Sequence, residues 1–222
     1  MRRGRSDRGA ALTETAFLAP IVLLLIFAIL EYGPLFRDYL TAGDAVADGA
    51  RIGGALGPDL ARIDASNPSS ATATADYFIV RAVIQATASV NVDDLERIVI
   101  WDARPASAGA PLKQLPAACR TGSGTGVTAS GAFGSCNIYN PKVAMQKLAE
   151  PNGYLYFNCA ATPSSPACHW NPVTRKNGPT IGDIEYLGVY LKAKVPMTTG
   201  LFGREFTIEQ ATIVRLEPGG IR

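Results

Sequence analysis

Few residues in this 222-residue sequence have the type and spacing to do chemistry. Glu14 is a carboxylate set directly before the uncharged run Ala16–Leu30, AFLAPIVLLLIFAIL. An ionised group beside such a run is costly in an apolar medium and calls for a partner. His169 is the single histidine, so any Ser–His or Cys–His arrangement must use it. No G-x-S-x-G nucleophile turn is present. The tract TGSGTG lacks both a preceding strand and the GK[ST] ending of a phosphate-binding loop. The pair Asp93-Asp94 reads as solvated turn residues or a helix cap. These residues predict no catalytic site, no cofactor and no small-molecule substrate.

The elements around them begin with a charged leader. The chain is 47% hydrophobic and 18% charged, too apolar for a disordered sequence, and its net charge of +2 gives no case for nucleic-acid binding. Residues 1–9 hold Arg2, Arg3, Arg5 and Arg8 against Asp7, a local +3 that leaves −1 for the rest. Extended back to Ala10, the apolar run reaches about 21 residues, the length a helix needs to cross a bilayer. The positive-inside rule then places residues 1–9 in the cytoplasm and the bulk of the chain across the membrane. Three readings compete. A cleaved secretory signal should end in small residues, but Glu31-Tyr32-Gly33-Pro34 follows. A plain uncleaved anchor leaves Glu14 unexplained. The third reading accounts for Glu14. Cleavage between Gly9 and Ala10 would create an α-ammonium at Ala10 and make Glu14 the fifth residue of the mature chain, where its carboxylate can pair with its own or a neighbouring ammonium in low dielectric. Gly9, an apolar helix and Glu at that place form the signature of type IV prepilins and pseudopilins.

The stretch RGAALTETAFLAPIVLLLIFAILEYGPLFRDYLTAGDAVADGAR, residues 8–51, resembles the TadE-like family of the tight-adherence (Flp) pilus system. Arg8-Gly9, Glu14, Ala16, Pro20, Glu31-Tyr32-Gly33, Phe36, Ala45, Ala47 and Gly49-Ala50-Arg51 carry the resemblance. Thr15 departs from it, standing where a bulky residue usually follows the glutamate. The resemblance implies a non-enzymatic structural protein of the bacterial cytoplasmic membrane. It implies a prepilin peptidase cutting at Gly9–Ala10, a register role for Glu14, and a flexible point at Pro20. It also implies other pilins or pseudopilins and an inner-membrane assembly platform with its ATPase as partners. Glu31 reads as an interfacial carboxylate.

Beyond the membrane, Pro34 should kink or end the helix. Phe36, Leu40, Ala47 and Ala50 then recur at helical spacing, with small residues at Ala42, Ala45 and Gly49, so a stalk helix should run to about Gly53-Gly54. Residues 57–74 read as a linker and 75–89 as a buried helix. Leu95–Trp101 suits a strand. Along Glu185–Met197, Leu187, Val189, Leu191, Ala193 and Val195 alternate with Tyr186, Tyr190, Lys192 and Lys194, a half-buried strand whose tyrosines offer a contact face. Phe206–Leu216 is its hairpin partner.

Residues 103–180 read as an irregular insert holding Cys119, Cys136, Cys159 and Cys168. An even count in an exported segment argues for disulfides. Four cysteines allow three connectivities; nearest-neighbour pairing, Cys119–Cys136 and Cys159–Cys168, closes short loops and is the one expected. The spacings lack the close pairs of a structural zinc site, so no metal is expected. The expected organisation is therefore a cytoplasmic leader (1–9), a transmembrane helix (10–30), a stalk extension (31–56) and an exported α+β domain (57–222). In that domain a helix packs on a small antiparallel sheet beside a long disulfide-bearing loop region. The alternative function is a membrane-anchored binding or adhesin module displayed at the surface or at a pilus tip.

Overall fold

A computed structural model of the chain describes residues 8–56, 73–107, 109–122, 136–159, 162, 165–172, 186–200 and 203–216. Residues 1–7 of the leader, most of the expected linker, residues 123–135 of the Gly/Ser/Thr tract and residues 173–185 lie outside them.

The first element is one helix, α1, Arg8–Leu56, of 49 residues. At 1.5 Å per residue it is about 73 Å long. The helix does not end at Pro34: α1 runs through both Pro20 and Pro34. Pro34 lacks the N–H that would reach the Leu30 carbonyl. Burial of Glu31, Leu35 and Asp38 against the rest of the molecule holds the helix on either side of it.

Two halves of α1 differ in kind. Every residue from Leu12 to Ile26 is exposed, although nearly all are apolar. From Glu31 onward a stripe is buried: Glu31, Leu35, Asp38, Ala42, Ala45, Val46, Gly49, Ala50, Gly53 and Gly54. Steps of three and four place these on one helical face. Phe36 and Leu40 fall on the other face, 62% and 50% exposed, so the packing side is the one formed by the small residues. The small residues face inward because α1 must lie close against its neighbours. An added Cβ at Gly49 would stand 2.6 Å from Val83 Cγ2, and one at Gly53 would stand 2.7 Å from Leu187 Cδ2. The outer half of α1 is thus part of the domain core.

The remaining elements form an α+β domain. Helix α2 (Ala75–Ala86) packs on α1 through Ile79, Val80 and Val83. Four antiparallel strands follow: β1 (Leu95–Asp102), β2 (Cys136–Tyr139), β3 (Tyr186–Pro196) and β4 (Glu205–Arg215). Their spatial order is β2-β1-β3-β4. β3 and β4 pair from Tyr186↔Arg215 to Pro196↔Glu205 as the expected hairpin. α1 and α2 cover one sheet face, meeting Ile98, Ile100, Leu187, Val189, Leu191 and Ile208.

The other face is also covered. Val99, Trp101, Cys119, Cys136 and Tyr190 form a second cluster there. Tyr190 is only 3% exposed, so it is not the contact residue its alternation with lysines suggested. Burial pushes its phenol up to about 12.

The segment expected as irregular, 103–180, contains more structure than its composition shows. It holds β2, the short helix α3 (Ala117–Thr121), helix α4 (Pro141–Ala149) and two 3-10 turns, Gly153–Phe157 and Pro166–Cys168. Asn140 caps α4 by accepting from the N–H groups of Lys142 and Val143, and Pro141 occupies the first turn. A disulfide joins Cys119 on α3 to Cys136 on β2, with Cα atoms 6.3 Å apart. A second joins Cys159 to Cys168, with Cα atoms 4.7 Å apart. In the loop-entropy account each adds about 2–4 kcal/mol.

Candidate functional site

The residues singled out by sequence are spread along α1. Arg8, Gly9 and Ala10 open the helix, and Glu14 stands one turn beyond Ala10. Ala10 and Glu14 are thus four residues apart, about 6 Å along the axis and on one side of the helix. Ala16 is exposed. Pro20 lies within the helix and leaves the Ala16 carbonyl without its usual N–H donor. Gly33 is exposed, and a Cβ there would meet nothing within 4 Å.

The distal motif residues do something different. Gly49 is seated on Ile79 and Val83 of α2, and Ala50 is 1% exposed in the core. Arg51 points outward and pairs with Asp48 at 3.3 Å. The Gly-Ala-Arg ending therefore serves the docking of α1 onto its own domain, with the arginine on the surface.

Glu31 is the residue that sequence reading undervalued. It is 3% exposed, and its Oε2 accepts a 2.7 Å hydrogen bond from the Thr199 backbone N–H. Thr199 lies in the β3–β4 connection, 168 residues away in sequence. The carboxylate therefore clips the end of the hairpin to the helix at the first residue past the apolar span. The signal was present: Glu31 is the one charged side chain between Glu14 and Arg37. What it would bond was not readable, because the hairpin end carries no motif of its own.

A second missed feature is a buried polar cluster. Asp76, wholly buried at the start of α2, accepts from Asn137 Nδ2 at 2.6 Å and Tyr139 Oη at 2.7 Å. Asn137 also exchanges two 2.8 Å bonds with the backbone of Trp170. His169 sits beside this cluster as the residue after the 3-10 turn, and desolvation holds its imidazole below the ordinary histidine range. Among the described residues no group of three or more His, Cys, Asp or Glu side chains could hold a metal.

Electrostatics elsewhere is that of a surface. Glu96 gathers Lys192, Lys194 and Arg97, whose hydrogen bond and charges hold its carboxyl below the usual range. Arg120 and Glu209 form a further ion pair across the sheet edge. Such partly solvated pairs contribute little stability.

What the arrangement can do follows from α1. The described residues contain one helix long and apolar enough to cross a membrane, and none of its most apolar window is buried within the molecule. Burying these side chains in hydrocarbon is strongly favourable, whereas leaving them in water is not. A single N-terminal apolar helix of this kind is consistent with single-pass anchoring. No curated protein and no solved structure matches the chain. Residues 9–51 match the model of the TadE-like protein family. The match spans the exposed apolar half of α1 and the half that enters the core, and it stops at the last motif residue, Arg51. Over these residues the N-terminal helix is similar to that of the TadE-like family.

Proposed function

We propose that the chain is a TadE-like pseudopilin or minor pilin, a non-enzymatic structural or assembly component of a bacterial Flp-type pilus. In this reading it inserts with residues 1–9 in the cytoplasm and the folded domain outside, and a prepilin peptidase cuts it after Gly9. The observation that carries the reading is the family match over 9–51, which falls on a helix whose first half is apolar and uncovered. Support comes from Ala10 and Glu14, which stand one turn apart on α1. A bare ammonium and carboxylate in hydrocarbon need partners, and neighbouring helices of an assembly supply them. Its partners are the membrane, the peptidase, other pilins or pseudopilins and the assembly platform. The adhesin alternative would draw its surface from residues 103–180, which also supply β2, α4 and both disulfides.

N-terminal sequencing with intact mass of the protein from its native membrane fraction tests the reading. A mature chain beginning at Ala10 supports it; a chain that keeps Met1 where the peptidase is active overturns it. Gly9→Val places a branched side chain at the scissile position and should leave the full-length precursor. Recovery of normally shortened protein from that variant would defeat the prepilin assignment. Glu14→Ala should be processed like the parent but lose pilus assembly; normal piliation would remove the register role.

A further inference from the structure

The uncovered apolar surface of α1 does not stop at Leu30. Tyr32, Phe36, Tyr39 and Leu40 continue it at 44–62% exposure. Phe206, near the start of β4 and 41% exposed, faces them. Tyr32, Leu35, Phe36, Tyr39 and Phe206 together line an apolar groove of about 280 Å³. Of the charges along it, Glu31 is withdrawn from the surface by the Thr199 N–H, and Asp38 is buried and paired with Arg37. The first exposed charge past the span is Arg37, whose side chain is 62% exposed.

These positions can be measured against the bilayer. With the hydrocarbon edge at Leu30, the backbones of Tyr32 and Phe36 stand about 3 and 9 Å beyond it along the helix axis, and helical side chains lean toward the N-terminus, which here brings both rings back toward the bilayer. The polar layer on each side of a bilayer is about 5–8 Å deep. The Glu31–Thr199 bond fixes the end of the β3–β4 hairpin at the same level, so Phe206 is carried down with it. Aromatic side chains with an apolar body settle in this layer, and Arg204, exposed in the same hairpin end, has the long stem that reaches lipid phosphates.

We propose that the exported domain sits directly on the membrane: the aromatic face of α1 at Tyr32 and Phe36 and the hairpin end at Phe206 form a lipid-docking collar, clipped together by Glu31. The occupant is the headgroup layer of the bilayer that holds the anchor. It is favoured over a second protein because the patch is continuous with the membrane-spanning surface. The lipid reaches it without any further association step. The domain is then held flush with the bilayer and not carried away from it on a free stalk. The proposal rests on the single-pass reading of α1.

The test uses the full chain in vesicles of phosphatidylethanolamine and phosphatidylglycerol, with brominated acyl chains as fluorescence quenchers. Tryptophan is introduced singly as Phe206→Trp, Arg215→Trp at the far end of the same strand, and Leu24→Trp in mid-span; the parent chain supplies the background of Trp101 and Trp170. The expected result is that brominated lipid dims position 206 and position 24 and leaves position 215 unchanged. Quenching at 24 without quenching at 206 keeps the anchor and overturns the collar. If 206 is then also shielded from aqueous acrylamide, a second protein copy covers the groove. No quenching at 24 overturns the anchor reading itself. Loss of the quenching at 206 on adding Glu31→Ala, which removes the acceptor of the Thr199 N–H, would identify this side chain as the clip; unchanged quenching would remove Glu31 from the proposal while leaving the collar.

Discussion

Gly188→Ala lowers the unfolding midpoint of the full chain in mild detergent and blunts the near-ultraviolet signal of its tryptophans. The reason is the partner of Gly188 across the sheet. Trp101 is its register neighbour on β1, and an alanine Cβ at 188 would stand 2.2, 2.3 and 2.4 Å from Cε2, Cζ2 and Cδ2 of the indole. No real methyl tolerates those distances, so the ring must move. It has nowhere to go: Trp101 is 1% exposed, and its Nε1 donates to the Lys113 carbonyl at 3.2 Å. Displacing the ring strips that bond and lifts the 103–116 segment from the sheet. Overpacking of this kind costs about 3 kcal/mol, at the upper end of its usual range. Combining the change with Trp101→Leu, which removes the ring and with it the colliding atoms, should return part of the loss. A midpoint within error of the parent for Gly188→Ala alone would mean the ring is not fixed over Gly188.

Gly188 also shows what could and could not be read beforehand. The alternation of β3 was plain, because five apolar residues at a period of two have no helical rendering. It placed Leu187, Val189 and Leu191 on the inner face correctly. The same alternation put Tyr190 outside. Alternation reports which side is more apolar, and it does not reveal that a loop and a disulfide close over the second face. β2 was invisible for a related reason: four residues, one of them a buried asparagine, make no periodic signal. Its strand character comes from pairing with β1 at Ile98↔Tyr139 through Trp101↔Cys136.

The anchor helix was legible in its type and in the small residues that let it pack closely, though not in the partner they pack on. Its apolar run, leader charge and Gly9–Glu14 spacing are local features that a sequence states directly. The choice of packing face is not local. The close contact with α2 needs the smallest residues, so Ala42, Ala45 and Gly49 take that side and Phe36 and Leu40 stay exposed. The bulky residues are left on the surface that faces lipid in the reading proposed above. At Pro34, where a kink or an end was expected, the helix does not end. A proline costs one hydrogen bond and some strain, and a helix pinned by tertiary contacts on either side absorbs both. The bond between Glu31 and Thr199 joins residues 168 apart, a separation over which no sequence pattern speaks.

Asp76→Ala is expected to be the most damaging single truncation in the domain. Asp76 lies in the first turn of α2, where the exposed N–H groups of a helix favour a negative charge. Its Oδ2 accepts from both Asn137 Nδ2 and Tyr139 Oη, and Asn137 in turn holds the Trp170 backbone. One carboxylate thereby joins α2, the edge strand β2 and the segment after the Cys159–Cys168 disulfide. Alanine would leave a buried amide and a buried phenol without this acceptor, and hydrogen bonds to a charged group contribute about 1.5–3 kcal/mol each. A loss of about 3 kcal/mol or more follows, read as a drop in the denaturant midpoint. Asp76→Asn separates charge from geometry. Both donors converge on a single oxygen, so an amide oxygen in that place can still accept from both. The asparagine variant should therefore keep much of the stability that alanine loses. If the two variants fall equally far, charge and not acceptor geometry holds the cluster. If neither falls, β2 is anchored by its pairing with β1 and by the Cys119–Cys136 bridge alone.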